Sequence, residues 1–215
     1  NTAIGQTALA ANTTANNNTA VGMCAMLATT TGANNTAVGF SSLLTNTTGT
    51  SNTAVGRCAL KLTTTGIINT AMGTLTMCAN TTGACNVAIG SNALRTNQTS
   101  SFNTAVGMNS LRTNTAANNT AIGFSALCAN TTGADVTAVG HSALLGNTTG
   151  ANNVAVGHDA LFTNTDCNNN TGLGTFALRL NDAGDNTAVG FASMCATTTG
   201  TANVAVGTYS LDANT

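Results

Sequence analysis

Few side chains in this 215-residue chain can do chemistry, and their spacing limits what that chemistry can be. The two histidines, His141 and His158, stand 17 residues apart, and Asp159 follows the second. Two imidazoles with a carboxylate are a ligand set for a divalent transition ion. All the acids are aspartates: Asp135, Asp159, Asp166, Asp182, Asp185 and Asp212. Only Asp182 and Asp185 lie close together, around Gly184, and such a pair suits a solvated turn better than acid–base catalysis. Arg57, Lys61, Arg95, Arg112 and Arg179 are too scattered to line a polysaccharide-cleaving cleft. Asn-x-Thr acceptors for N-glycosylation recur, chief among them Asn12, Asn46, Asn80, Asn130 and Asn147, with Asn17, Asn34, Asn97, Asn118 and Asn169 beside them.

What must position these residues is a repeat. Units opening on Asn-Thr-Ala-Val-Gly begin at Asn1, Asn18, Asn35, Asn52, Asn69, Asn86, Asn103, Asn119, Val136, Asn153, Asn170, Asn186 and Asn203, ten times 17 residues apart and twice 16. A fixed period of this size is the signature of a solenoid. No linker interrupts it, so the expectation is a single continuous repeat domain over residues 1–215, of about 13 coils.

Composition agrees and excludes other classes. Charged residues are 5% and aromatics 3%, with no Pro, Trp or Glu, so the polar surface must come from Asn, Thr and Ser. A net charge of -1 leaves neither a basic footprint for nucleic acid nor an acidic solvating tail. No run of 18 apolar residues is present, so no membrane span is expected in this segment. The chain opens without Met and stops inside a repeat, which reads as a segment of a longer protein.

Each column of the repeat carries a physical reading. Position five is always glycine: Gly5, Gly22, Gly39, Gly56, Gly73, Gly90, Gly107, Gly123, Gly140, Gly157, Gly174, Gly190 and Gly207. A site that never accepts a side chain marks positive φ or close backbone approach, as at a corner. A second glycine, at Gly32, Gly49 and their equivalents, gives way to Ala15, Ser100 or Cys167, so that bend is expected to tolerate a Cβ. Position four is always apolar and position nine is Leu or Met, two anchors for a thin core. Helix fails, because two glycines and an Asn-Thr-Thr per unit disfavour a helix interior by about 1 kcal/mol per glycine and several tenths for each other residue. Thr-Ala-Val alternates as a strand, with positions two and four on one face and three on the other. Val87, Val154 and Val204 at position two suit a buried strand site. The expected fold is all-β: a parallel β-solenoid with two short strands and two turns per coil, stacked at about 4.8 Å. Asparagines at positions one and twelve are placed to form ladders along the stack, with Thr29, Thr63 and Thr197 interrupting the second.

The histidines share position six, which elsewhere holds Gln6, Arg57, Thr74 and Ser91. An outward, unconstrained column is the reading, so no metal, cofactor or catalytic residue is expected. Of the seven cysteines, Cys24 and Cys58 share one column, and Cys78, Cys128 and Cys195 another, at spacings beyond the ~7 Å that a disulfide spans. Cys78 and Cys85 are the one plausible local pair, and free apolar thiols are the expectation otherwise.

The motif NTAVG-x-x-AL, with its variants NVAIG at Asn86–Gly90 and NVAVG at Asn153–Gly157, resembles the head repeats of YadA-like trimeric autotransporter adhesins and the NTAVG-x-x-AL-x-x-NTTG arrays of phage tail fibres. The resemblance implies a left-handed β-roll, a homotrimer or filament, and a place on a cell or virion surface. The function expected is that of a structural shaft or head segment of an extracellular fibre or adhesin, not an enzyme, with any glycan or host-surface receptor met at a tip elsewhere. The alternative is a solenoid that binds a periodic ligand such as ice, through Thr29-x-Thr31, Thr63-x-Thr65 and Thr197-x-Thr199. Position three is Ala in every coil except at Gly172, although it lies opposite the apolar fourth position. That smallness is expected to reflect a second confined face, closed by a neighbouring chain in preference to an internal wall.

Overall fold

The computed structural model describes residues 1–196 and 198–212; Thr197, expected in the twelfth column, lies outside the described residues. The repeat folds as a parallel β-solenoid in which each coil contributes one three-residue strand from positions two to four. The chain forms two compact units, Asn1–Met108 and Asn109–Thr215. The first holds β1 (Thr2–Ile4), β2 (Thr19–Val21), β3 (Thr36–Val38), β4 (Thr53–Val55), β5 (Thr70–Met72), β6 (Val87–Ile89) and β7 (Thr104–Val106), paired in sequence order and in register. The second holds β8 (Thr120–Ile122), β9 (Thr137–Val139), β10 (Val154–Val156), β11 (Thr171–Leu173), β12 (Thr187–Val189) and β13 (Val204–Val206), paired likewise. A 16-residue coil keeps the register, with Thr171 opposite Thr187 and Leu173 opposite Val189. It loses its residue from the bend, where Asn181 Nδ2 donates to the carbonyl two residues on, at Ala183, instead of three.

One strand per coil, where two were expected, is the first correction. The rest of the coil is an arc with left-handed backbone at positions seven, nine and seventeen, as at Cys24 (φ 59), Met26 (φ 50) and Asn34 (φ 61). A non-glycine residue in that region costs on the order of 1–2 kcal/mol. Hydrogen bonds to both neighbouring coils offset it: Cys24 N–H donates to the Gln6 carbonyl of the preceding coil (2.9 Å), and Met26 N–H to the Ser42 carbonyl of the following one (2.9 Å). Backbone polar groups need partners when buried, and this alternation finds them outside the strands as well as within them.

The second correction concerns which strand face is buried. Position three is the inward one: Ala20, Ala37, Ala54, Ala71 and Ala88 are fully buried within this single chain, whereas Met72 is 42% exposed. The wall facing them is position nine. A Cβ built on Gly172, the one non-alanine, would meet Leu161 Cγ at 3.4 Å. The alanines are buried within their own chain against this internal wall, so no neighbouring chain is required to confine them. Positions two and four, read from sequence as core-facing, point outward.

The interior is half apolar and half amide. Leu43, Leu60 and Met77 in column nine and Ala25, Ala59 and Ala93 in column eight complete the apolar half. Asparagines of columns one and twelve, among them Asn35, Asn46, Asn52 and Asn80, are equally buried. In column one the ladder runs through the backbone: Asn18 Oδ1 accepts from Asn35 N–H (2.8 Å), while Asn18 Nδ2 donates to the Gly32 carbonyl (2.8 Å) and closes its own coil. Column twelve links amide to amide, as in Asn97 Nδ2 to Asn80 Oδ1 (3.2 Å) and Asn164 Nδ2 to Asn147 Oδ1 (3.0 Å).

Candidate functional site

The corner glycines occupy a backbone that only glycine adopts without strain, from φ 127 at Gly90 to φ 138 at Gly157. At Gly73 (φ 134) a Cβ would also stand 2.8 Å from the Gly90 carbonyl carbon and 2.8 Å from Thr76 Oγ1. The second glycine column is stricter than its substitutions suggest. It has no left-handed requirement, yet a Cβ on Gly66 would fall 2.6 Å from the Gly83 carbonyl oxygen.

Four of the five leading glycosylation candidates are interior. Asn46, Asn80, Asn130 and Asn147 are fully buried, and their Nδ2 atoms donate to the carbonyls of Gly49, Gly83, Gly133 and Gly150 at 2.9–3.1 Å. The nitrogen that would carry a sugar is a structural bond in the folded coil, which corrects the sequence reading. Asn12 is half-buried and its Nδ2 bonds the Ala15 carbonyl (3.3 Å). The Asn-x-Thr sites of column seventeen, at Asn17, Asn34, Asn118 and Asn169, are exposed instead.

Burial also displaces the threonine array. Thr29 and Thr63 are fully buried while Thr31 and Thr65 point outward, so the pairs two residues apart share no face. The outward strand face is formed by columns two and four. In the first unit it presents Thr36 with Val38 and Thr70 with Met72; in the second, Thr120 with Ile122 and Val154 with Val156. Side chains two apart on a strand stand about 7 Å apart and successive rungs about 4.8 Å. Columns two and four carry no charged residue. No cavity opens among the described residues.

The second unit gathers most of the chemistry-capable side chains. The His141 and His158 rings stack at 5.0 Å with 19° between their planes, flanked by Phe124 on His141 (5.1 Å) and Phe176 edge-on to His158 (5.4 Å). Asp159, in a left-handed position (φ 53), is buried beside them. Its Oδ1 lies 3.8 Å from His158 Nδ1 and its Oδ2 3.5 Å from Arg179 Nε. The Arg179 guanidinium in turn lies over the Phe162 and Phe176 rings, at 5.7 and 5.3 Å. A second cluster, Asp166, Cys167 and Asp182, lies open on the bend.

All seven cysteines are free, Cys78 and Cys85 included. Burial pushes the thiols of Cys78, Cys128, Cys167 and Cys195 up from their ordinary range; at Cys167 the neighbouring Asp166 and Asp182 add to the effect. These are packing thiols rather than activated nucleophiles. No helix among the described residues is long and apolar enough to cross a membrane. No family model, curated protein or solved structure matches this chain.

Proposed function

We propose that this chain is a non-catalytic structural segment of an extracellular fibre or adhesin, built to associate with copies of itself along its outward strand face. The observation that carries this reading is the outward column four, apolar in every coil and flanked by uncharged Thr or Val. A regular, outward apolar column marks a place where another surface sits. A periodic face is complementary to an identical periodic face, and the absence of charge in columns two and four removes the repulsion that would keep two copies apart. Support for a structural role comes from the backbone, whose N–H groups bond to neighbouring coils in the arcs as well as in the strands. The motif's likeness to adhesin heads and tail fibres points the same way. Electron microscopy of the isolated segment tests it: particles of several laterally packed coil stacks are expected, and uniformly single stacks would refute it.

A second reading is favoured by the in-register Thr and Val rungs of the same face, a lattice of hydroxyl and methyl groups at the spacing just given. Such a surface suits a periodic ligand, with ice the sharpest case. Thermal hysteresis by the purified segment, lost on Thr36→Lys, would support this reading; none would sink it.

A further inference from the structure

We propose that His141, His158 and Asp159 form a binding site for one divalent transition ion of the zinc, nickel or copper type. The chain has only two histidines, and they stand on adjacent coils, next to an aspartate that is buried. One ligand atom from each of the three residues lies within 4.8 Å of the other two. Bonds of about 2.0–2.2 Å to imidazole nitrogen and carboxylate oxygen require the set to draw closer together, and the two histidines, being exposed, are the members freest to move. Two nitrogens and one oxygen select an imidazole-favouring ion over calcium or magnesium, which prefer oxygen throughout.

The surroundings fix the less mobile parts. Ser142 Oγ lies 3.0 Å from His141 Nδ1 and engages that nitrogen, so Nε2 is the one this contact leaves for an ion. Arg179 lies against Oδ2 of Asp159, which orients the carboxylate and leaves Oδ1 towards the imidazoles. Partners of this kind orient metal ligands and tune their basicity. Phe124 and Phe176 bracket the pair of rings. Column six varies freely elsewhere, which is why sequence reading sets the site aside. What the column cannot show is that Asp159, one position further on, is buried with a carboxylate oxygen within 4.8 Å of a nitrogen of each ring.

Titration of the whole chain, thiols kept reduced, with cobalt(II) and zinc(II) chloride tests the proposal. One ion per chain is expected, with cobalt d–d absorption and no thiolate-to-metal charge-transfer band, and the ring-proton resonances of both histidines should shift together. His158→Gln and Asp159→Asn should each weaken binding at least tenfold; asparagine tolerates the left-handed backbone at 159. The histidine resonances provide the readout in the unmodified chain should a variant fail to fold. No binding, a thiolate band, a shift of only one histidine, or unchanged affinity in His158→Gln would overturn the assignment.

Discussion

Thr63→Asn should stabilise the protein, although it replaces one buried polar residue by another. Column twelve is an amide ladder in which the Nδ2 of Asn97, Asn130, Asn147 and Asn164 donates to the Oδ1 of the preceding coil, and Thr63 breaks it. Asn46 Oδ1 is buried without a partner, and Asn80 Nδ2, besides its bond to the Gly83 carbonyl, reaches along the column only to Thr63 Oγ1 at 3.5 Å. An asparagine at 63 offers Nδ2 to Asn46 and Oδ1 to Asn80, the geometry seen where Asn147 follows Asn130 (2.9 Å). Each recovered bond contributes about 1 kcal/mol net, and ordering the longer side chain offsets part of that. A gain of about 1–2 kcal/mol, or roughly 2–8 °C in Tm for a chain of this length, is the expected result. Calorimetry and urea melts followed by circular dichroism read it. Thr29→Asn should act in the same direction, since Asn12 Oδ1 is likewise unpartnered. An unchanged or lower midpoint for both variants would refute the ladder as a source of stability.

Other outcomes follow from the same packing. Gly73→Val should cost more than about 1 kcal/mol through strained φ and the Gly90 backbone, while metal-free His141→Ala stays within about 0.5 kcal/mol, as read from urea midpoints. Ala71→Leu should destabilise by about 1–3 kcal/mol through overpacking, whereas Met72→Lys should leave the melt nearly unchanged and lower the association state in light scattering. The half-buried thiols of Cys78 and Cys128 have raised pKa values in the folded chain, so the stability they contribute is complete below the ordinary thiol range and is lost as pH rises through the folded values. Melts under reducing conditions should therefore weaken on going from neutral to alkaline pH, and less so in Cys78→Ala/Cys128→Ala.

The period, the corner glycines and the parallel stack were legible because each rests on a single residue type recurring at one spacing. The strand faces were not. A Thr-Ala-Val strand alternates whichever side is buried, and hydrophobicity alone places Val inside; only the narrowness of the coil, set by Leu161 and its equivalents across from position three, makes alanine the inward residue. The left-handed arc was half visible. Asn17, Asn34, Asn152 and Asn169 in column seventeen are the residue type that adopts it most readily. Leu43 and Leu60 in column nine adopt it under the pull of burial, which no propensity signals. The fate of the Asn-Thr-Thr segments was hidden for a related reason, because Asn suits both an exposed turn and a buried amide ladder, and the choice is made by the neighbouring coil. His141, His158 and Asp159 were visible as a spacing, but the inward turn of Asp159 was not.

Sedimentation equilibrium of the whole segment at micromolar concentration, run beside a Val38→Lys/Met72→Lys variant, tests the central claim most directly. Self-association through the strand face predicts a mass that is a multiple of 21.1 kDa for the wild type and a shift towards 21.1 kDa for the variant, with the far-ultraviolet spectrum unchanged. A wild-type mass of 21.1 kDa, or a variant that associates as the wild type does, would contradict it.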